Sequence, residues 1–236
     1  MSLPGVPLSP GRANGRLRGV DPEPIARLDD AILVVAGAAW PPATRPPPGV
    51  RGAVVVGTLP LKVPRDRLPA VAGFDRDLLR EAEVVSLDGS AGTLTIEGVK
   101  ESHVVTVFLQ RADGQVLLLL RSAQVGTFQG RWAGVSGYLE DPTPLDQARR
   151  EVREETGVGP DRLELAAEGA PVLVRESGVV FIVHPFRFRI TGEAVHLDWE
   201  HEKAEWVDPS EIARRTTVPK LDRAWAAVAG SGAPKP

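Results

Sequence analysis

The chain contains no cysteine, which excludes disulfides, thiolate nucleophiles and cysteine-ligated zinc together. Histidine is sparse: His103, His184, His196 and His201 are scattered, and none precedes His103. A zinc site is therefore not expected. No apolar run approaches the roughly 18 residues of a membrane span, and the opening "MSLPGVPLSPGR" lacks the apolar core of a signal peptide. The expected location is the cytoplasm. An excess of one charge is missing too, since 28 basic and 31 acidic residues leave a formal net charge of -3. There is no global basic field to hold a nucleic acid through its phosphates. Arginine outnumbers lysine 23 to 5, which reads as a coding bias rather than as a set of phosphate-gripping guanidiniums.

What remains is ordinary globular material, with 42% apolar and 25% charged residues over 236 positions. That length suits one large domain or two small ones, and the punctuation favours two. Most prolines fall in the first hundred residues, including "WPPATRPPPG" at 40 to 49, among short apolar runs such as 31 to 35 and 53 to 57. Such spacing predicts a strand-rich small domain with an exposed loop. "SLDGSAGTLTI" (86 to 96) reads as a turn and a closing strand, which sets a boundary near residue 100. Beyond it, the run at 103 to 110, the Asp113-Gly114 turn and the run at 115 to 121 form a hairpin. A second hairpin follows over 171 to 190, turning at Ser177-Gly178. A strand is expected at 204 to 208 and helices near 209 to 215 and 220 to 229. The tail 231 to 236 is expected to be disordered.

Residues 143 to 157 carry the strongest helix signal. Thr143 suits the N-cap, Pro144 the first turn, Asp146 the capping-box acid and Gly157 the C-terminal stop. On a helical wheel Leu145, Ala148 and Val152 form the apolar stripe, and Glu151, Glu154 and Glu155 share an arc of about 100° beside it. Charge pattern alone fits a solvated face laced with Arg-Glu pairs, such as Arg150 with Glu154. A glycine-bearing turn, "GVSGYLED" (134 to 141), leads into the helix from an apolar run and makes the context more specific. Three carboxylates at i, i+3 and i+4 repel one another unless a hard cation such as Mg²⁺ or Mn²⁺ accepts their oxygens. Carboxylates cannot themselves neutralise a diphosphate, but cations they hold can.

The segment resembles the Nudix box. Arg150, Glu151, Val152, Glu154, Glu155, Gly157 and Val158 fill its second half, and Gly137 and Glu140 fit the loop half. The loop departs in one respect: Gly137 to Arg150 is one residue short, and Pro142 stands where the first box glutamate is expected. That position is a lesser metal contact in the family, so the departure bears on metal affinity or metal number more than on the chemistry. Flanking segments, 116 to 140 and 200 to 212, also look like those of Nudix hydrolases, so the resemblance covers about 102 to 229. It implies an α/β/α sandwich with a mixed sheet and hydrolysis of a nucleoside diphosphate linked to a moiety X with Mg²⁺ or Mn²⁺. The implied metal ligands are Glu151, Glu154 and Glu155, with Glu154 as ligand or general base and Arg150 orienting the carboxylates. A non-hydrolytic nucleotide-binding module is the alternative that Pro142 leaves open.

Other residues are candidates beside these. Arg121 and Trp132, with Gly137 and Glu140, are the expected substrate contacts, where a base could stack and a phosphate could be gripped; Phe128 reads rather as core. Among Glu200, Glu202 and Glu205, Glu202 is the possible extra ligand or base. Ser136 does not sit in the Gly-x-Ser-x-Gly elbow of serine hydrolases, and "GRANGRLRG" (11 to 19) lacks the context of a dinucleotide loop. A diphosphate isomerase would need acid-base machinery that is absent. Segments 4 to 18, 31 to 35, 68 to 73 and 82 to 96 are similar to the swivelling phosphohistidine domain of phosphoenolpyruvate-utilising enzymes, without its histidine. The expected organisation is thus a β/β/α swivelling-type domain at 1 to 100, a Nudix domain at 101 to 230 and a tail. The expected partner is a small-molecule nucleotide or diphosphate, without nucleic acid or membrane, in a possible homodimer.

Overall fold

A computed structural model describes residues 1–19, 31–36, 49–56, 68–80, 83–192 and 195–230. Residues 40 to 48 of the proline-rich loop and the tail 231 to 236 lie outside them. The chain divides into two compact units, Met1–Lys100 with Ser177–Val179, and Glu101–Glu176 with Val180–Pro236.

The first unit is built on one mixed sheet. Its strands are β1 (Ser2–Pro4), β2 (Val6–Ser9), β3 (Arg12–Gly19), β4 (Ala31–Ala36), β5 (Val50–Val56), β6 (Ala70–Phe74), β7 (Val84–Asp88) and β8 (Thr93–Ile96). They lie in the order β1-β8-β7-β3-β4-β5-β6-β2. The pairs from β3 to β6 are parallel and the flanking ones antiparallel. Central parallel strands are covered on both faces, which is why β5 reads as an unbroken apolar run and buries Ala53, Val54 and Val55 alike. At the antiparallel end the pattern alternates: Val85 and Leu87 of β7, and Leu94 and Ile96 of β8, point inward. The expected turn between them forms because the Asp88 carboxylate accepts the amides of Ser90 and Ala91.

The second unit comprises β9 (Lys100–Gln110), β10 (Val116–Arg121), β11 (Trp132–Ala133), β12 (Val135–Tyr138), α1 (Pro144–Thr156), β13 (Leu163–Glu168), β14 (Val172–Glu176), β15 (Val179–Ile190), β16 (His201–Val207) and α2 (Leu221–Val228). Strand alternation sorts its core into two layers. Val105, Val107 and Leu109 of β9 and Leu117 and Leu119 of β10 pack with Ala148 and Val152 of α1. Their sequence neighbours Phe108, Val116 and Leu118 pack with Leu221, Ala224 and Val228 of α2. A helix on each face of one sheet is the α/β/α sandwich implied by the resemblance.

Both expected hairpins form, β9 with β10 and β14 with β15. The helix near 209 to 215 is instead a 3-10 helix, Pro209–Arg214. The strand expected at 204 to 208 begins earlier, at His201, so Glu202 lies within it rather than on a loop. Among the described residues no helix is long and apolar enough to cross a membrane.

Candidate active site

Helix α1 is fixed at both ends by local chemistry. The Thr143 hydroxyl oxygen accepts the Asp146 amide at 3.2 Å, and Pro144 occupies the first turn. Gly157 takes φ 67° and donates its amide to Arg153 O, closing the last turn where an L side chain would be strained. Asp146 does not complete a reciprocal capping box, because its carboxylate accepts the Thr143 hydroxyl.

The three glutamates of α1 have unequal surroundings. Glu154 is exposed, Glu151 is half-buried and Glu155 is only 2% exposed. The wheel placed Glu155 beside the apolar stripe, whereas α1 seats it inside, because Glu155 is one turn beyond Val152 and follows it into the core. Its Oε1 accepts the Ser136 amide of β12 at 3.1 Å, while Oε2 is buried and accepts nothing. Burial pushes the Glu155 carboxyl well above the usual carboxylate range against that amide bond, and the charges of Glu151, Glu200 and Asp198 push the same way. Burial, with Glu154 and Glu200 nearby, also raises Glu151 despite its hydrogen bond from Gln147.

Close approach of β12 to α1 depends on Gly137. A Cβ at that position would lie 2.0 Å from Glu151 Oε1, so the strand passes over the carboxylate only where no side chain intervenes. The shortened loop between β12 and α1 is clamped by Gln147, which is fully buried. Its Oε1 accepts the amides of Glu140 and Asp141 at 2.8 and 2.9 Å, and its Nε2 donates to Glu151 Oε1 at 2.5 Å. Arg150 was expected to orient the helix carboxylates, but it reaches back to the loop. Its Nη2 donates to Glu140 Oε2 and to Gln147 Oε1, both at 2.9 Å, and its Nε forms an ion pair with Asp141 Oδ2 at 3.0 Å. The loop acids are close enough to compete for the guanidinium, and they win it from Glu154.

A cavity of about 420 Å³ opens beside these groups. Glu140, Arg150, Glu151, Glu154 and Glu200 line its polar side, together with Arg121, Ser136 and Gly137. Arg121 donates from Nε to Thr127 O at 3.1 Å, which holds the loop after β10 against the wall. The apolar wall includes Phe128, Val172, Val174, Phe181 and Val183. Phe128 was expected in the core, yet it faces the cavity at φ 53°, a left-handed conformation uncommon for such a residue. Tyr138 and Trp199 also line it and are 55% and 62% exposed, unusual for such large rings.

Arg121, Gly137 and Glu140 therefore meet Glu151 and Glu154 at one cavity, while Trp132 does not line it. The Trp132 ring lies under the Arg215 guanidinium, 4.8 Å from its centroid, and near the Lys203 ammonium at 5.9 Å. Cation-π contact and packing against the α2 layer account for it. Glu202 is displaced as well. It is the extra residue of a bulge in β16, where Leu120 faces Lys203 but Arg121 faces His201, and its exposed carboxylate accepts the Ala123 amide at 3.3 Å. Its neighbour Glu200 faces the cavity instead, its carboxyl raised by burial and by Asp198. Sequence reasoning passed over Gln147, Tyr138 and Trp199; the one available signal was Gln147 at i-4 from Glu151.

Hard oxygen donors of this kind suit Mg²⁺ or Mn²⁺, and the partnerless, buried Oε2 of Glu155 is where a cation would relieve an uncompensated charge. The donor set thus fits such an ion in kind. As the side chains stand, no three ligating groups among the described residues converge on one point. Glu151 is drawn away by Gln147, so gathering the carboxylates requires side-chain rotation.

Residues 100–227 match the family model for the NUDIX domain. No curated protein matches the sequence. Similar solved structures include a MutT protein from Methanosarcina mazei Go1, 27% identical over 55% of this chain and 91% of that one, with a TM-score of 0.44. A Nudix hydrolase from M. smegmatis is 17% identical over 61% of this chain and 94% of that one, with a TM-score of 0.46. A C. elegans Ap4A hydrolase in a binary complex is 17% identical over 56% and 96%, with a TM-score of 0.45.

Proposed function

The match at 100–227 spans more than half of the chain, which therefore belongs to the NUDIX family of pyrophosphohydrolases, and on that premise we propose that it hydrolyses a nucleoside diphosphate linked to a moiety X. The observation that carries this reading is the single cavity at which helix-borne carboxylates, a guanidinium and two exposed aromatic rings meet. Each feature suits one part of such a substrate.

Glu151, Glu154 and Glu155 would hold Mg²⁺ or Mn²⁺, the last through its buried Oε2. When bound, such an ion supplies charge neutralisation at the phosphoryl oxygens and lowers the pKa of water. The protein's own groups supply position and proton transfer. Arg121 on the cavity wall suits a phosphate oxygen, since a guanidinium offers a planar fork of donors. Glu154 is exposed and lines the cavity, and as ligand or general base it would take the proton of the attacking water at a carboxylate oxygen. Glu200 offers a second carboxylate at the same cavity. Gln147 and the Arg150 clamp keep the short loop closed over the helix, which Pro142 in place of a glutamate does not prevent. Tyr138 and Trp199, exposed and lining the same cavity, suit contact with a flat base.

The test is incubation with Mg²⁺ and ADP-ribose, NADH, diadenosine polyphosphates or 8-oxo-dGTP, with released phosphate or nucleotide measured. Turnover of at least one compound, lost in Glu154→Gln and Glu151→Gln, is expected. If one compound binds and none is cleaved, the chain is a nucleotide-binding module and hydrolysis is wrong.

A further inference from the structure

The cavity is not uniform from end to end. Its floor is laid by three neighbouring strands, with Val104 and Thr106 from β9, Phe181 and Val183 from β15, and Val172 and Val174 from β14. Strand alternation selects them. Val105 and Val107 turn to the α1 layer, so Val104 and Thr106 share the opposite face with Phe108, which packs with α2. Leu221 and Ala224 of α2 line the cavity too and belong to the layer against which Val172 packs.

Polar groups gather at the other end. Thr106, whose hydroxyl is the floor's one polar side chain, lies opposite Ser136 in register. The Ser136 hydroxyl accepts Arg121 Nη1 at 3.5 Å, and its amide donates to Glu155. Lys220 also lines the cavity, but its ammonium donates to Leu173 O at 2.8 Å. Strand β15 is paired on both edges, so its amides and carbonyls are taken up by the ladders. Among the described residues that line the cavity there is no asparagine, glutamine, aspartate or histidine. The chain's single asparagine, Asn14, is on β3 of the first unit.

A nucleobase or a sugar brings N–H, C=O and hydroxyl groups that would leave water and meet no partner on this floor, at a cost for each. A hydrocarbon group meets no such cost and gains by leaving water. We propose that the floor receives moiety X and that X is hydrocarbon-rich, which makes the substrate class a nucleoside diphosphate ester of an apolar alcohol. This rests on the diphosphate lying at the carboxylates, as proposed above; from there X reaches the floor and the nucleoside is left at the exposed rings of Tyr138 and Trp199.

The experiment uses the full chain with Mg²⁺ and adenosine diphosphate n-alkyl esters from methyl to hexyl, in two forms. In the first, a methylene group replaces the oxygen between the phosphorus atoms, so that nothing is cleaved and calorimetry reads affinity alone. Affinity should rise about 3–4-fold for each added methylene, the equivalent of burying one CH₂, and ADP-ribose bridged in the same way should bind more weakly than the hexyl ester. Val183→Thr keeps the side-chain shape but sets a hydroxyl on the floor, and should lower the hexyl-to-methyl affinity ratio by about fivefold or more. Phe181→Ala, which removes a half-buried ring from the floor, should lower the same ratio and decides alone if Val183→Thr does not fold. Affinity that is flat or falls from methyl to hexyl, tighter binding of the bridged ADP-ribose, or an unchanged ratio in the folded variants overturns an apolar X. The second form, with the natural oxygen bridge, tests the function itself. Affinity that rises with chain length without release of AMP overturns hydrolysis and leaves the preference of the floor standing, whereas absence of binding by every analogue overturns both.

Discussion

Replacing Glu155 by glutamine should stabilise the metal-free protein while removing its use for the cation. The carboxyl group is 2% exposed, one of its oxygens has no partner, and its burial raises its proton affinity well above the ordinary range. A carboxyl whose folded pKa lies above its unfolded value contributes fully at low pH, and that contribution is lost as pH rises through the folded pKa. The native protein in EDTA should therefore lose stability as pH rises above the ordinary carboxylate range, and the glutamine variant should lose less. Glu151 and Glu200 are shifted in the same direction but are present in both proteins, so they largely cancel in the difference. Glutamine keeps the carbonyl that accepts the Ser136 amide, and its new N–H faces the lone pair of His201 Nε2, 3.6 Å from the native Oε2, Nδ1 of that ring being turned to Asp198. Relieving one unsatisfied buried charge is worth about 1–3 kcal/mol, which corresponds to a rise in Tm of roughly 2–12 °C for a protein of this size. The assay is thermal unfolding by circular dichroism in EDTA at pH 5 and pH 8, repeated with Mg²⁺. The native Tm should rise on adding Mg²⁺ at pH 8, and that of the variant should not. A variant less stable than native in EDTA at pH 8, or a difference that does not change with pH, would refute the reasoning.

Three further outcomes follow from named contacts. Gly137→Ala should leave the Tm within a few degrees yet lower turnover at least tenfold, because the new methyl meets only the flexible end of Glu151 and pushes that carboxylate from its place; steady-state kinetics beside unfolding curves separate the two effects. Tyr138→Ala and Trp199→Ala should each raise KM for a nucleotide substrate by roughly 2–12-fold with kcat unchanged, the kinetic equivalent of losing one aromatic contact of about 0.5–1.5 kcal/mol. Thr143→Ala removes the acceptor of the Asp146 amide and should lower stability by about 1 kcal/mol, measured by urea unfolding.

How much of this was legible differs from element to element. The ends of α1 were readable because capping is local: Thr143, Pro144 and Gly157 act on atoms within four residues. The hairpin turning at Asp113-Gly114 was readable for the same reason, since Asp113 accepts the Gln115 amide two residues on. The exposed and buried fates of Glu154 and Glu155 were not, because a wheel gives direction without depth. Arg150 was misjudged because its choice of partner depends on how closely the loop carboxylates of Glu140 and Asp141 fold back. Glu202 was chosen over Glu200 because nothing in "DWEHEKAEW" announces a bulge, and one extra residue reverses which side chains face inward. Trp132 was misplaced because the cations that cover it, Lys203 and Arg215, come from distant points in the chain.

The sequence alone determined the family, the helix that bears the carboxylates and the alternation that divides the core into two layers, since each depends on spacings within one element. Tertiary structure decided which carboxylate is buried, which acid of the late segment meets the cavity, and which side chains of β9, β14 and β15 share one apolar floor. Those outcomes depend on strand register, a bulge and the close passage of Gly137 over α1, which are set only when separate elements pack and each polar group must find, or fail to find, a partner.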